Sequence, residues 1–295
     1  MDVARIVAEI TGSRPTWFEP LTGGQESTAR HCRFADRDDL VVLIDPGWRT
    51  RAELEWAHTV CRQASQSVPE VVAPISFGGQ TTFDLVGGRQ AEFFPFVAGN
   101  ALDPTVPALR RDAARVLAQI HHSLLDWSGG PRPPHGPDIP LYKRLDEDAL
   151  QAVWDPVEIQ DPELDEWWES ARCKEYARCP TQGDFWAANI LTSEDRVVGI
   201  IDWHDANIVP CISELAWAAS TCTGDPAELG RDFYAFIDTY RESGGPVADA
   251  EVADVVFFLR QRRRDSIRRT LAIGCPIDYP YAQNQIRTFR DTKAS

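Results

Sequence analysis

The first hundred residues alternate between short runs rich in β-branched or aromatic side chains and polar or glycine-containing turns. This alternation is typical of short strands joined by tight connections. The turn-forming stretch LTGGQEST (21–28) lies where an earlier hairpin could begin. Apolar residues recur at helical spacing in one segment only of this part, which predicts a single helix there. Strands are predicted over 28–35, 40–45, 71–77 and 89–97, and the helix over 51–64.

The pattern changes near residue 100, after which apolar positions recur every three or four residues. Residues 103–127 predict a long amphipathic helix, with Asp103 as its N-cap and Pro104 in its first turn. The proline- and glycine-rich stretch that follows predicts a loop. The remaining predictions are a loop over 128–140, helices over 141–178 and 211–272, and a hairpin within 180–206.

These elements predict an α+β protein with a small, mainly β part followed by a larger, mainly α part. We place an N-terminal lobe at 1–97, a hinge near 92–98 and a C-terminal lobe at 98–295. A chain of 295 residues with 43% hydrophobic content is long enough to bury a core in each lobe.

The net charge of −15 argues against nucleic acid and anionic membranes as partners, since both would repel the molecule as a whole. A cationic ligand would be attracted instead. No N-terminal segment resembles a signal peptide, and no apolar run is long enough for a membrane span. The seven cysteines are scattered without zinc-site spacing, which favours reduced thiols in the cytoplasm. The sequence does not indicate an oligomeric state.

Polar groups surround the hairpin at 181–206. Asp184 is followed five residues later by Asn189, and Asp202 ends the apolar run 197–201. Phosphoryl transfer requires a carboxylate near the attacking hydroxyl and oxygen ligands for magnesium. A hairpin with these three residues at its ends can bring them to one edge, so the pattern favours such a site over an ordinary turn.

At this point the sequence resembles a known family. QGDFWAANIL matches the HGD-x-x-x-x-N-[IL] motif of the aminoglycoside phosphotransferase and choline kinase-like family, and GIIDWHDA matches its I-D-[WF]-x-x-A element. The resemblance extends from about residue 15 to 270. It implies a bilobal protein-kinase-like fold, with Asp184 as the catalytic aspartate and Asn189 and Asp202 as ligands of Mg²⁺.

The resemblance also implies a site for ATP or GTP in the N-terminal lobe. Four of the predicted nucleotide-binding residues would lie in the loop over the phosphates. The hinge would bind the base through its backbone, so its side chains do not distinguish adenine from guanine. The predicted nucleotide-binding residues are Gly23, Gly24, Ser27, Thr28, Glu92, Phe94 and Phe96.

Two positions depart from the family pattern. Gln182 stands where the family usually has histidine, but it can still hydrogen-bond the backbone of the catalytic loop. Kinase-like enzymes also hold the phosphates with a lysine on the third strand, paired with a glutamate on the next helix. This chain has only three lysines, Lys143, Lys174 and Lys293, and none is in the N-terminal lobe. Glu53 or Glu55 could be the acid, and the missing charge could come from Arg30, Arg33, Arg49 or Arg51.

The acceptor is less defined. Ten acids and no base occupy 145–170, which either form an acidic wall for a cationic acceptor or the solvated face of a helix. Asp205, Trp186 and Glu166 are the predicted acceptor contacts. The basic stretch RQRRRDSIRR (260–269) is interpreted as a solvated helix face that pairs with nearby acids.

We therefore expect a phosphotransferase acting on a hydroxyl of a small polar molecule, an antibiotic such as an aminoglycoside or a nucleoside type, in resistance or self-resistance. One alternative is a metabolic kinase for choline, homoserine or a sugar. Another is a non-catalytic kinase-like binding protein, which the missing lysine favours.

Overall fold

The apolar runs of the N-terminal part form an antiparallel sheet. The computed structural model describes residues 2–21, 27–135, 155–224, 229–272 and 276–292. The strands of this sheet are β1 (Trp17–Pro20), β2 (Thr28–Arg33), β3 (Leu40–Asp45), β4 (Thr82–Asp84) and β5 (Gln90–Pro95). Their order is β1–β2–β3–β5–β4. Alternate residues of β3 face a small apolar core beneath the sheet, which accounts for the strand's inward-facing Leu40, Val42 and Ile44.

Three predicted strands are confirmed, and the strand predicted at 71–77 is wrong. Pro74 interrupts that segment and has no N–H for a ladder. The segment instead connects two sheets, because the Val72 N–H donates to the Ile200 carbonyl (3.1 Å) and the Ile75 N–H to the Phe93 carbonyl (2.7 Å).

Two helices accompany this sheet, α1 (Val3–Thr11) and α2 (Arg51–Ser65). The N-terminus of α2 has a capping box, in which the Thr50 hydroxyl accepts from the Glu53 N–H and the Glu53 carboxylate accepts from the Thr50 N–H. This explains why the helix begins where its apolar spacing begins. The buried side of α2 faces the larger of two hydrophobic cores, which also contains α3 (Pro107–Ser123).

The remainder of the chain is mainly helical and encloses two small strand pairings. β8 (Ile190–Ser193) and β9 (Arg196–Ile200) form the predicted hairpin, with β6 (Asn100–Ala101) beside β8, and β7 (Arg178–Thr181) pairs with β10 (Asn207–Pro210). The helices are α4 (Pro162–Ala171), α5 (Cys211–Thr221), α6 (Arg231–Glu242), α7 (Asp249–Val252), α8 (Val255–Ala272) and α9 (Pro280–Asp291). Single 3₁₀ turns occur at Val157–Ile159 and Ala187–Asn189.

The predicted start of the long helix is wrong by one turn. α3 begins at Pro107, and the residue before it, Val106, makes no side-chain cap. Asp103 instead closes a turn of its own, because its carboxylate accepts from the Thr105 N–H (2.9 Å) and hydroxyl (2.6 Å). The prediction over 211–272 is confirmed as a series of helices, and the part of 141–178 at 141–154 lies outside the described residues.

The basic helix α8 is buried, contrary to the prediction of a solvated face. Four of its arginines are at most 3% exposed because α8 packs between α4, α5 and α9. The predicted pairing with acids is confirmed: Arg264 contacts Asp165 at 2.6 Å, and Arg268 reaches both oxygens of Asp155. Such charges are buried only when paired in this way. The four arginines are Arg260, Arg263, Arg264 and Arg268.

The α+β prediction is confirmed by this architecture. Among the described residues, no helix has the length and apolar content needed to cross a membrane. Six of the seven cysteines fall in the described ranges, and all six are free thiols there.

One glycine controls how two loops meet. Gly183 follows β7 with φ of +89°, a conformation that glycine adopts without steric cost. A Cβ at this position would collide with the backbone carbonyl of Asp205. The loop after β7 and the loop before β10 therefore pack main chain against main chain at Gly183.

We predict that Gly183→Ala displaces these two loops and lowers the melting temperature. The left-handed backbone alone costs about 1–2 kcal/mol for alanine, and the collision adds to this cost. Thermal unfolding with hydrogen exchange over 182–206 measures both effects. Gly230→Ala is the matched control, because a Cβ there meets open space at an ordinary φ of −84°. Equal melting temperatures for the two variants would contradict the prediction.

Candidate active site

The loop after β7 presents Asp184, and Gln182 fixes the shape of that loop. The Gln182 side-chain carbonyl accepts from the Asp184 N–H at 2.7 Å. Its side-chain amide donates to the Ile201 carbonyl at 3.0 Å and to the carbonyl of Asp202. The prediction that Gln182 can hydrogen-bond the backbone of the catalytic loop is confirmed, and its buried amide joins the Asp184 loop to the Asp202 loop.

A buried carboxylate holds the same loop from below. Glu214, at the start of α5, accepts from the N–H groups of Gln182 (3.3 Å) and Gly183 (2.5 Å). Its other partner is His121 of α3 at 2.8 Å, whose second ring nitrogen contacts the Tyr240 hydroxyl at 2.7 Å. Glu214 thus anchors the loop backbone to α5 and α3.

Asn189 lies directly beside Asp184. Its side-chain N–H₂ donates to the Asp184 backbone carbonyl at 3.0 Å and to a carboxylate oxygen of Asp184 at 3.2 Å. This orientation directs the amide oxygen of Asn189 away from Asp184. A 3₁₀ turn over Ala187–Asn189 produces the arrangement, since it brings a residue five positions later back to the loop.

Asp202 follows β9 in a left-handed conformation, with φ of +58°. Its side chain is 54% exposed, and we call the open space beside the Asp184 and Asp202 loops the cleft. One carboxylate oxygen lies 3.2 Å from Nδ1 of His204. Burial opposes the charged form of Asp202, but His204 outweighs this effect and lowers the pKa of the carboxyl.

Behind Asp202 lies a chain of buried ionisable groups that sequence reasoning missed. His204 Nε2 donates to the Glu92 carboxylate at 3.0 Å, and His58 Nε2 of α2 donates to the same carboxylate at 2.6 Å. Glu92 is fully buried. Burial works against the charged form of His204, but Glu92 and Asp202 together raise its pKa to about 10. The only signal of this connection in the sequence was that His204 lies two residues after Asp202. Glu92 is far from both histidines in the sequence, so its part could not be predicted.

Arg49 and Arg132 both contact the loop that contains Asp202 and Asp205. Arg49 contacts Asp45 at 2.9 Å and Asp205 at 3.5 Å. Arg132, from the loop after α3, donates to the Ala206 carbonyl (2.8 Å) and the His204 carbonyl (3.1 Å). Two cations therefore brace the loop that carries Asp202.

The other candidate cations of the N-terminal part point elsewhere. Arg30 lies over the Phe18 ring, Arg33 lies over Trp17, and Arg51 binds Asp84 and Glu55. Of the two candidate acids on α2, Glu53 caps its own helix and binds His135 at 2.6 Å.

The described members of the predicted nucleotide-binding set lie in or next to the N-terminal sheet. Ser27 precedes β2 and Thr28 begins it, whereas Gly23 and Gly24 lie outside the described residues. Glu92 lies on β5, which has β3 and β4 on either side. Its carboxylate contacts His58 and His204, so the position favours ion pairs with these histidines over contact with the nucleotide base. Phe96 donates its N–H to the Asp39 carbonyl, and its ring stacks on His31.

Of the predicted acceptor contacts, two lie on the loops of the site and one lies on α4. Trp186 is 40% exposed at the edge of the Asp184 loop, and Asp205 faces Arg49. Glu166 is exposed on α4. Four of the ten acids at 145–170 pair with arginines of α8, which removes much of their attraction for a cationic acceptor. Asp146, Glu147 and Asp148 lie outside the described residues. The four are Asp155, Asp161, Glu163 and Asp165.

Arg262 is a further residue at the site that the sequence did not indicate. It extends from α8, lies over the Trp217 ring and donates to the Gly183 carbonyl at 2.5 Å. Burial lowers its pKa, and the nearby Asp184 carboxylate opposes that effect. A fixed positive charge thus stands behind the loop that presents Asp184.

The donor set fits a hard divalent cation. Asn189 offers an amide oxygen and Asp202 a solvent-facing carboxylate, the ligand types that Mg²⁺ prefers when phosphate and water complete its shell. In the described ranges, no three His, Cys, Asp or Glu side chains form a cluster that could hold a metal alone. A cation here would therefore depend on oxygens from a bound phosphate.

Comparison with known proteins agrees with this geometry. The model of the phosphotransferase enzyme family (APH) matches residues 17–245. No curated protein sequence matches the chain.

Solved structures show the same fold at low sequence identity. An amicoumacin kinase in complex with AMP-PNP, Ca²⁺ and Ami is 13% identical with a TM-score of 0.74, over 99% of this chain and 93% of that one. A thermostable mutant of aminoglycoside phosphotransferase APH(4)-Ia, with AMP-PNP and hygromycin B, is 20% identical with a TM-score of 0.69, over all of both chains. Macrolide 2'-phosphotransferase MphH from Brachybacterium faecium is 16% identical with a TM-score of 0.62, over 98% of each chain.

These likenesses confirm the predicted bilobal protein-kinase-like fold. The family model spans most of the sequence, including both the Asp184 and the Asp202 loops. The chain belongs to the phosphotransferase enzyme family.

Proposed function

We propose that the chain is a nucleoside-triphosphate- and Mg²⁺-dependent O-phosphotransferase that phosphorylates a hydroxyl of a small polar antibiotic. The observation that carries this proposal is the hydrogen-bonded joining of the Asp184 and Asp202 loops through Gln182. We also propose that residues 1–97 and 98–295 are its two lobes and that it acts in the cytoplasm.

The residues of the two loops would have separate tasks. Asp184 would accept a hydrogen bond from the acceptor hydroxyl and orient it toward the phosphorus. Asn189 and Asp202 would hold Mg²⁺, which neutralises charge on the transferring phosphate. Asn189 also holds the Asp184 carboxylate in place, because its side-chain N–H₂ donates to that carboxylate.

The nucleotide would lie against the N-terminal sheet, with its base at the hinge near 92–98. The amicoumacin kinase and APH(4)-Ia structures were solved with AMP-PNP, which supports ATP as donor. Within the described residues, Arg49 is the N-terminal candidate whose side chain reaches the Asp202 loop. Its contact with Asp205 is long at 3.5 Å, so we propose that a bound triphosphate replaces Asp205 as the partner of Arg49.

The acceptor class is inferred from the neighbours and from the cleft. The similar structures contain or are named for hygromycin B, spectinomycin and macrolide substrates, all antibiotics. Asp205 and Trp186 stand at the cleft and offer an acid and a flat aromatic surface to such a molecule. Glu166 stays a weaker candidate because no contact ties it to either loop.

The two aspartates can be tested separately. Asp202→Ala is expected to abolish Mg²⁺-dependent nucleotide binding with only a modest fall in the melting temperature. Its side chain is half exposed, but alanine tolerates the left-handed backbone less well and loses the contact with His204. Asp184→Asn should retain that binding and lose more than 99% of turnover, since the carboxylate acts on the acceptor. Calorimetric titration with ATP and a coupled ADP assay separate the two effects. Undiminished binding by Asp202→Ala would contradict the metal assignment.

Arg49 can be tested against a matched neighbour. Arg49→Ala should raise KM for ATP by about 10-fold or more, since a charge-assisted hydrogen bond contributes roughly 1.5–3 kcal/mol. Arg51→Ala is the control, because Arg51 binds Glu55 and Asp84 away from the Asp202 loop. Arg49→Lys should recover part of the affinity. The assignment to phosphate fails if both alanine variants keep the wild-type KM.

The acceptor class can be tested in cells. Expression of the wild-type chain should raise the minimum inhibitory concentration of at least one hydroxylated antibiotic in a panel of aminoglycosides, nucleoside antibiotics, macrolides and spectinomycin. Asp184→Asn should give no protection. Phosphorylation confined to choline, homoserine or a sugar would favour a metabolic kinase instead, and binding without turnover would favour a non-catalytic protein.

A further inference from the structure

The face of the sheet that looks toward α2 lacks the lysine of kinase-like enzymes and contains an acid in its place. Leu40, Val42 and Ile44 of β3 are buried in the core beneath the sheet, so Leu43 faces the opposite way. Leu43 pairs directly with Glu92 on β5. Directly opposed residues share a face, so Glu92 projects from the surface where a strand cation would be expected.

Glu92 connects three parts of the molecule. Its carboxylate accepts from His58 of α2 at 2.6 Å and from His204 of the Asp202 loop at 3.0 Å. His204 turns its other nitrogen, Nδ1, to a carboxylate oxygen of Asp202 at 3.2 Å. The other nitrogen of His58, Nδ1, is held by the Thr81 hydroxyl at 2.8 Å.

Three of the four side chains in this hydrogen-bonded series are buried, which holds them in place. Side-chain exposure is 2% at His58, zero at Glu92 and 7% at His204, whereas Asp202 at the end is open to the cleft. A buried carboxylate that lost one of these donors would keep an uncompensated charge, so the three groups stabilise one another in a single arrangement. Asp202 itself has a left-handed backbone, which needs support from its surroundings.

We propose that Glu92 is a positioning residue for the metal-binding carboxylate of Asp202, acting through His204, and that His58 ties α2 to the same link. This inference rests on the proposed function, because it concerns the metal site of that reaction. Its basis is the hydrogen-bonded series His58–Glu92–His204–Asp202, which joins helix, sheet and metal loop.

The arrangement leaves Asp202 suited to a cation. His204 contacts one carboxylate oxygen, and the side chain is 54% exposed, so the second oxygen would be accessible to a cation. Partners of a ligand group orient it, and their removal typically weakens metal affinity about 10–100-fold. In kinase-like enzymes a strand lysine and a helix glutamate connect the sheet to the helix. In this protein Glu92 on the strand and His58 on the helix make that connection.

Glu92→Gln tests the proposal. It keeps the size of the side chain and a hydrogen-bonding oxygen but removes the charge that holds both histidines. We expect the Mg²⁺ concentration for half-maximal nucleotide binding to rise about 10-fold or more. Calorimetry and a Mg²⁺ titration of ADP formation at saturating ATP provide the two measurements.

Asp254→Asn is the matched control for loss of a buried carboxylate. Asp254 accepts from Trp167 (2.9 Å), Lys174 (2.7 Å) and Tyr176 (2.7 Å), and makes no contact with either loop of the site. It should lower the melting temperature without changing the Mg²⁺ requirement. A shift of that requirement in Asp254→Asn equal to the one in Glu92→Gln would reduce Glu92 to a general stabilising role and overturn the proposal.

His58→Gln provides the second variant if Glu92→Gln does not fold, because it leaves the link between Glu92 and His204 in place. The Mg²⁺ requirement should move in the same direction by a smaller factor. An unchanged requirement in a folded Glu92→Gln or His58→Gln protein overturns the proposal while wild-type Mg²⁺-dependent binding of ATP still supports the function. Absence of that binding in the wild type would overturn the function and this inference together.

Discussion

The side-chain amide of Gln182 is the interaction on which the site depends. It has one acceptor and one donor group, and the structure uses both, one toward the Asp184 loop and the other toward the Asp202 loop. The two loops follow strands of different sheets, β7 and β9. The pairing of β7 with β10 fixes the end of the Asp202 loop, and Gln182 links the parts of the two loops that contain the aspartates. Gly183 allows their backbones to touch, and Glu214 fixes the loop from the core side. The family's histidine can thus be replaced because the requirement is a bifunctional hydrogen-bonding group and not a particular ring.

This acidic protein contains ion pairs in its core as well as charges on its surface. The net charge of −15 suggests an excess of solvated acids, yet α8 places arginines in the core and neutralises acids of the segment before and within α4. These pairs need two elements to be packed together, since neither partner could be buried alone. One consequence is functional: acids that serve an internal helix are not available to attract a cationic acceptor.

Local patterns predicted much of the fold, because strands and helices of the core have the periodicity of their buried faces. The capping box that begins α2 and the hairpin at β8–β9 follow from adjacent residues. Features set by distant contacts were not predictable. The segment 71–77 has a strand's composition but bridges two sheets, and Arg262 meets the Asp184 loop only through the packing of α8. The three motif residues were identified because the sequence brings them together, whereas Glu92 and His58 are joined to the site only by the fold.

The absence of an N-terminal lysine changes the electrostatics of the cleft more than its shape. A lysine would bring a mobile positive charge to the phosphates, whereas Glu92 brings a negative one that two histidines enclose and hold away from solvent. A triphosphate in this cleft would thus meet positive charge from the metal and from Arg49, which lies on the loop between β3 and α2 and not on the strand. Arginine binds in a fork and keeps its charge when buried, so it can hold phosphate from a more distant attachment point. The metal would then have a larger share of the phosphate charge to neutralise than in an enzyme with the lysine. This is the reason that the exact orientation of Asp202, and hence the buried groups behind it, should matter so much in this chain.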